Sequence, residues 1–177
     1  MGVLFNVVED VVDETLPADS WDSALDTACL TGAYTSLGDY GDEELVGIVS
    51  AVAGQTGLAP ADVLRHVGRH GYGQLVGRQP DLVAGIDDLG ALLHQLDDVI
   101  HPEVLKLYPE AELPAFAVTD EGPGRWRLDY RSRRRLCHLA EGLIEGAAAT
   151  YGVDVRIDQP ECCLDGGEHC VLVISTV

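Results

Sequence analysis

Apolar residues recur every three or four positions through the first half of the chain, which is the spacing of amphipathic helices. The first such stretch ends before Pro17, and Asp19 or Ser20 can cap a short second helix. A third helix is predicted over residues 42–56, with acidic residues in its first turn. A fourth begins at Pro60, because proline suits the first turn of a helix.

A longer helical pattern covers residues 81–108. Pro102 lies inside this pattern and cannot donate a backbone hydrogen bond, so we expect the helix to kink or break near His101. Asp97 and Asp98 are interpreted as members of a solvated helix face.

After this helical half the period shortens to that of strands. The chain predicts four strands separated by one more helix: strands at 116–119, 125–130, 153–157 and 171–174, and a helix at 132–150. Helices first and strands later indicate an α+β fold, with a helical N-terminal subdomain and a four-stranded antiparallel sheet with packed helices. The 177 residues fit a single domain.

Composition narrows the possible functions. The chain has 30 acidic and 11 basic residues, a formal net charge of −19, which disfavours nucleic acid and anionic membranes as partners. Residues 125–135 contain six of the basic residues, all of them arginines. This cluster has two interpretations: it balances the acidic surface, or it binds an anion. No apolar run approaches a membrane span, and the N-terminus lacks the basic region of a signal peptide. We therefore expect a cytoplasmic protein.

No nucleophile–base pair, phosphate-binding loop or pair of catalytic carboxylates occurs at a suitable spacing, so we expect a binding protein and not an enzyme. The strongest motif begins at His101 and continues with Pro114, thirteen residues later. A Tyr-x-Ser-x-Arg motif follows at Tyr130, Ser132 and Arg134. This combination resembles the haem–nitric-oxide/oxygen-binding (H-NOX) family, which includes the sensor domain of soluble guanylate cyclase.

The resemblance implies a haem b cofactor with His101 as the axial iron ligand. It places Pro114 against the porphyrin, and it assigns Tyr130, Ser132 and Arg134 to the two haem propionates. These residue types suit the roles, because neutral imidazole binds haem iron and a guanidinium grips carboxylates in pairs. It also implies a distal helical subdomain and a haem-holding subdomain, which we expect over residues 1–60 and 61–177.

The resemblance also bears on the gas ligand. Oxygen-binding members carry a tyrosine at the position of Leu139, and Leu4 and Leu75 are expected to line the same pocket. A pocket without a hydroxyl donor favours nitric oxide and carbon monoxide over a stable oxygen complex. Tyr34 or Tyr72 could still supply such a hydroxyl.

The C-terminal third contains four of the five cysteines. Gathered together, three or four thiolates can hold a tetrahedral zinc, whereas buried cysteines can also act as small apolar residues. The cysteines resemble those of an H-NOX subset with a redox-active zinc site. We expect Cys137, Cys162 and Cys170 as ligands, with Cys163 or His169 as the fourth.

The sequence therefore predicts a nitric oxide sensor that signals to a separate protein. The resemblance implies a histidine kinase or a cyclic-di-nucleotide enzyme as that partner, and nitric oxide is expected to act by weakening the iron bond to His101. Two alternatives stay open: a haem-independent redox sensor based on a zinc–cysteine cluster, and a binding module for another tetrapyrrole or a lipid.

Overall fold

The structure, a computed structural model, describes residues 2–177 and has the predicted α+β fold. The helices are α1 (Gly2–Thr15), α2 (Ser20–Ala28), α3 (Asp42–Thr56), α4 (Pro60–Arg78), α5 (Leu89–Gln95), α6 (His101–Leu107) and α7 (Cys137–Thr150). The strands are β1 (Ala115–Gly122), β2 (Arg125–Arg131), β3 (Val155–Glu161) and β4 (Cys170–Thr176). No helix within residues 2–177 is long and apolar enough to cross a membrane.

The four strands form one antiparallel sheet in the order β1-β2-β4-β3, which confirms the predicted sheet. Alternate residues of β2 and β4 face a core that α5 and α7 cover, as the period of two requires. Tyr130, near the end of β2, is opposite Cys170 at the start of β4. This register brings the tyrosine of the Tyr-x-Ser-x-Arg motif beside a cysteine of the C-terminal group.

A second core lies among α1, α2, α3 and α4. The valines of α1 at helical spacing are buried there, and Phe5 is fully covered by Tyr34 and Tyr40. Helix α4 continues through four glycines without breaking, and at one of them, Gly71, an added Cβ would lie 2.4 Å from Val7 Cγ1. The glycine therefore permits close packing of α4 against α1.

Helices α4 and α7 pack with their backbones in direct contact. An added Cβ on Gly142 would lie 2.0 Å from the carbonyl oxygen of Arg65, and one on Gly68 would lie 2.4 Å from that of Leu139. No other residue type fits at this crossing. Both cores meet at α7, because Leu139 belongs to the N-terminal core whereas the next residue, Ala140, belongs to the sheet core.

The helical pattern over residues 81–108, which we expected to be interrupted only near His101, is divided into four pieces. A short 3₁₀ helix at Pro80–Val83 ends in a turn with Gly85 at φ 80°, and Asp88 then caps α5. A π-helical turn at Leu96–Ile100 joins α5 to α6. The expected interruption near His101 takes the form of a change from π-helical to α-helical hydrogen bonding, with Pro102 in the first turn of α6 and the backbone helical throughout.

The helix predicted over residues 132–150 begins five residues late, at Cys137. The preceding loop contains Arg135 in the left-handed region, at φ 56°. This conformation is unusual for a residue with a side chain and stops the helix from extending backwards. As a result, Ser132 and Arg134 lie in a loop between β2 and α7.

Candidate functional site

A largely apolar cavity lies between α4, α5, α7 and the sheet. Its volume is about 290 Å³. Its wall includes every residue that the sequence predicts for the haem pocket: Leu4, Leu75, His101, Pro114, Tyr130, Ser132, Arg134 and Leu139. The fold thus collects residues from six separate segments around one space.

His101 is the first residue of α6, and its side chain is only 16% exposed. Its Nδ1–H donates to Asp97 Oδ1 at 3.2 Å, which leaves Nε2 as the nitrogen that can bind a metal. Burial lowers the pKa of His101 below its usual value, although Asp97 and the Pro114 carbonyl oppose this shift. A neutral imidazole is the form that ligates iron.

The Tyr-x-Ser-x-Arg motif forms a polar end of the cavity. The Tyr130 hydroxyl accepts a hydrogen bond from the Leu136 backbone N–H at 3.1 Å, and the Ser132 hydroxyl accepts one from the Arg134 backbone N–H at 3.2 Å. Burial raises the pKa of Tyr130 to about 12, so the hydroxyl keeps its proton. These local bonds set the shape of the loop around Arg134.

The Arg134 side chain is 8% exposed, and its Nε donates to Asp42 Oδ1 at 2.5 Å. Its Nη2 is buried and has no hydrogen-bond partner within residues 2–177. A buried, unpaired guanidinium nitrogen is costly, so this arrangement suits a site that receives a negatively charged group. Asp42 begins α3, and the ion pair therefore links the N-terminal helices to the cavity.

The leucines at positions 4, 75 and 139 present apolar side chains to the cavity. Of the two tyrosines that could add a hydroxyl, Tyr34 packs on Phe5 in the N-terminal core and donates to Glu44 Oε2 at 2.9 Å. Tyr72 lines the cavity, where its hydroxyl also interacts with Tyr151. Burial is the main reason that the pKa of Tyr72 rises to about 12.

The shape and chemistry of this cavity fit a haem. Its walls are apolar, one wall carries an imidazole with a free nitrogen, and Arg134 can pair with a carboxylate through Nη2. A haem matches each of these features: its flat ring is apolar, its iron binds imidazole, and its two propionates are carboxylates. The residues present therefore match the group.

Three of the cysteines form a buried cluster, which we call the thiol group: Cys137, Cys162 and Cys170. Their sulfur atoms all lie within 4.8 Å of one another, with Cys162 Sγ 3.8 Å from both Cys137 Sγ and Cys170 Sγ. Burial raises the pKa of Cys137 and of Cys170 above the usual range of a thiol. The structure thus brings together the three cysteines that the sequence analysis names as the main zinc ligands.

The two candidates for a fourth ligand are placed differently. Cys163 Sγ is 3.3 Å from Cys170 Sγ but lies outside the thiol group. His169 faces elsewhere, since its Nε2–H donates to Asp129 Oδ1 at 3.2 Å and its Nδ1 lies 3.9 Å from Glu161 Oε1. Cys29 is exposed, at the end of α2.

Two residues of the site were missed or misread in the sequence. Asp97 is not a simple member of a solvated face, because its carboxylate bonds both His101 and the backbone N–H of Phe116. Its position four residues before His101 on a helix was the available signal. Asp42 had no such signal, because it pairs with a residue 92 positions away.

The fold and the cavity together define a haem-binding sensor domain. A sequence model of the family described as haem-NO-binding matches residues 1–159. The chain therefore belongs to the haem-NO-binding (H-NOX) family. No curated protein matches it.

Solved H-NOX structures resemble this fold over nearly its whole length. An H-NOX protein from S. oneidensis in the Fe(II)NO ligation state is 34% identical, covers 99% of this chain and 98% of its own, and has a TM-score of 0.92. The Fe(II) unliganded protein from K. algicida is 25% identical, with 99% and 96% covered and a TM-score of 0.88. The IWP-051-bound protein from Shewanella woodyi, in the Fe(II)CO state, is 29% identical, with 100% and 94% covered and a TM-score of 0.83.

Proposed function

We propose that this protein is a haem b-based sensor of nitric oxide, with His101 as the axial ligand, and not an enzyme. One observation carries the proposal: a neutral imidazole with a free Nε2 and a guanidinium with an unpaired Nη2 line the same apolar cavity. When bound, the ferrous haem iron supplies a coordination position for a diatomic gas.

The side chains around the cavity have distinct roles in this proposal. Arg134 pairs with a haem propionate through Nη2, and Tyr130 and Ser132 supply hydroxyl groups at the same end. Pro114 lies against the ring and limits its position. The apolar walls exclude water, which strengthens the ion pairs and hydrogen bonds made inside the cavity.

The preference for nitric oxide and carbon monoxide over oxygen follows from the apolar residues Leu4, Leu75 and Leu139. A stable oxygen complex would require a hydrogen-bond donor, which these three side chains do not supply, whereas nitric oxide would not require one. Tyr72 also lines the cavity, and we propose that its hydroxyl interacts with Tyr151 and not with a bound gas.

The test is the absorption spectrum of the reduced protein under argon, air, carbon monoxide and nitric oxide. We expect a haem Soret band that shifts with carbon monoxide and nitric oxide and not with air. His101→Gly should abolish the iron–histidine stretching band in resonance Raman. His94→Gly is the control and should keep this band, because His94 is exposed and hydrogen-bonded to Asp120 at 3.1 Å. A stable complex in air would refute the gas preference, and an unchanged His101→Gly spectrum would refute the ligand assignment.

Signalling is proposed to act on a separate histidine kinase or cyclic-di-nucleotide enzyme. Kinase autophosphorylation or cyclic-di-nucleotide turnover should change when nitric oxide is added to the loaded sensor with its partner. His101→Gly supplemented with free imidazole is the informative variant, because the imidazole is then not tethered to α6. A nitric oxide response equal to that of the parent would refute signalling through this tether.

A second function is supported by the thiol group, which we propose as a zinc site that responds to oxidants. Thiolates around a tetrahedral zinc, with bonds of about 2.3 Å, lie about 3.8 Å apart. The two sulfur distances of 3.8 Å in the thiol group match this spacing. Because burial raises the pKa of Cys137 and of Cys170, these two thiols stay protonated without a metal, and zinc binding must release their protons.

The zinc content of the purified protein tests this second proposal. We expect about one zinc per chain, lost after peroxide treatment and in Cys137→Ser. Cys29→Ser is the matched control because Cys29 is exposed and lies far from the thiol group in the fold. Protein that holds no zinc when grown in zinc-supplemented medium would refute the proposal.

A further inference from the structure

Asp97 holds both His101 and the start of the sheet. Its Oδ1 accepts the Nδ1–H of His101 at 3.2 Å, and its Oδ2 accepts the backbone N–H of Phe116 at 2.8 Å. The Phe116 ring also packs on the His101 ring, with 5.4 Å between the ring centroids. Both oxygens of one carboxylate are therefore committed to the surroundings of a single imidazole.

The local backbone creates this arrangement. Asp97 lies in the π-helical turn Leu96–Ile100, and His101 starts α6 directly after it. The His101 backbone N–H donates to the Leu96 carbonyl, five residues back, and not to that of Asp97. The side chains at positions 97 and 101 still meet across one turn, while the anchor at Phe116 fixes the carboxylate from outside the helix.

We propose that Asp97 is a positioning residue that sets the strength of the bond between His101 and the haem iron. This inference rests on the proposed function, in which His101 is the axial ligand. A carboxylate that accepts the Nδ1–H of a ligating histidine fixes the ring orientation and raises the basicity of Nε2. A more basic Nε2 binds iron more tightly and stabilises the oxidised iron relative to the reduced iron.

The carboxylate is well placed for this effect. The His101 side chain is 16% exposed and that of Asp97 is 35% exposed, so water screens the contact only in part. The Pro114 carbonyl also contacts the ring, but it is a neutral acceptor and therefore a weaker one. Asp97 is thus the charged acceptor through which the histidine bond is tuned.

The first experiment compares Asp97→Asn with Asp98→Asn in the haem-loaded protein. Both variants remove one negative charge from the same turn, but Asp98 is exposed. In Asp97→Asn we expect a lower iron–histidine stretching frequency by resonance Raman, a higher reduction potential, and about 10-fold faster haem transfer to an acceptor apoprotein. Asp97→Glu, which keeps the carboxylate, should recover part of each change.

Equal iron–histidine frequencies in the Asp97→Asn and Asp98→Asn variants would overturn the proposal and leave Asp97 with a purely structural role at Phe116. Failure of the proposed function looks different. In that case the parent protein itself has no iron–histidine band, or His101→Gly keeps it.

A second experiment does not require Asp97→Asn to fold. In haem-loaded His101→Gly, free imidazole can donate a hydrogen bond to Asp97, whereas 1-methylimidazole cannot. We expect imidazole to bind about tenfold more tightly than 1-methylimidazole, the size of one hydrogen bond to a charged group. As a control for the bulk of the methyl group, 4-methylimidazole keeps the N–H. Equal binding of imidazole and 1-methylimidazole would contradict the proposal.

Discussion

The ion pair between Asp42 and Arg134 leads to a prediction that separates the empty from the haem-loaded protein. Arg134 is 8% exposed, and Asp42 is its only ion-pair partner among the described residues, with Nε 2.5 Å from Oδ1. In Asp42→Asn the guanidinium keeps its charge but loses its carboxylate. The loss in free energy of unfolding then depends on whether a haem propionate is present to replace the Asp42 carboxylate.

The magnitude follows from the burial of the two partners. Removing one member of a fully buried pair costs about 3–5 kcal/mol. Asp42 is 50% exposed, so solvent screening reduces the expected cost in haem-free protein to about 2 kcal/mol. In haem-loaded protein a propionate compensates Arg134, and the cost should fall below about 1 kcal/mol, the level of an exposed pair.

The assay is urea unfolding of Asp42→Asn and of a control variant, Glu43→Gln, each with and without haem. Glu43 is exposed in the same first turn of α3, so it reports the loss of a helix-terminal charge alone. For a domain of this size, about 2 kcal/mol lowers the thermal midpoint by roughly 4–8 °C. An equal cost of Asp42→Asn in the two forms would refute the reasoning that Arg134 pairs with the haem.

Two further predictions concern the contact between α4 and α7. Gly142→Ala should destabilise the protein by at least about 2 kcal/mol in thermal or urea unfolding, because the new Cβ would lie 2.0 Å from the Arg65 carbonyl oxygen; a neutral result would mean that the helices separate easily. Glu141 is buried, which raises its pKa, but hydrogen bonds from His138 and Arg65 outweigh burial and lower the pKa below 4.5. Its stabilising effect is therefore present above pH 4.5 and lost as the pH falls through the lowered pKa. Glu141→Gln should flatten this acid-side loss in unfolding measured from pH 6 to pH 3, and an unchanged slope would contradict the assignment.

The parts of the fold with strong periodicity could be predicted from the sequence. The helices of the N-terminal half and the four strands follow from apolar spacing. The cavity residues follow from the resemblance to the H-NOX family, which is carried by His101, Pro114 and the Tyr-x-Ser-x-Arg motif. The division of residues 81–108 could not be predicted in full, because the apolar stripe continues through the 3₁₀ and π-helical turns. The pattern of side chains does not reveal a change in backbone hydrogen bonding.

The start of α7 at Cys137 could not be predicted for a similar reason. Leu136 continues the apolar stripe of the helix backwards, and the left-handed backbone of Arg135 has no signature in a residue with a side chain. Long-range pairs such as Asp42 with Arg134 depend on the packing of whole helices. The residues that we propose as haem contacts could therefore be predicted from the sequence. Asp42, which pairs with Arg134, could be found only in the structure.

The backbone contact between α4 and α7 determines where this molecule can bend. At Gly68 and Gly142 no side chains lie between the two helices, so there are no side chains to repack. We therefore expect α4 and α7 to move as one rigid unit. Movement started at the cavity must be absorbed at the joints on either side: the π-helical turn before His101 and the loop that carries Arg134. The π-helical turn leads directly into His101 and the loop contains Arg134, so we expect the movement to occur beside the two residues that we assign to the haem iron and a propionate.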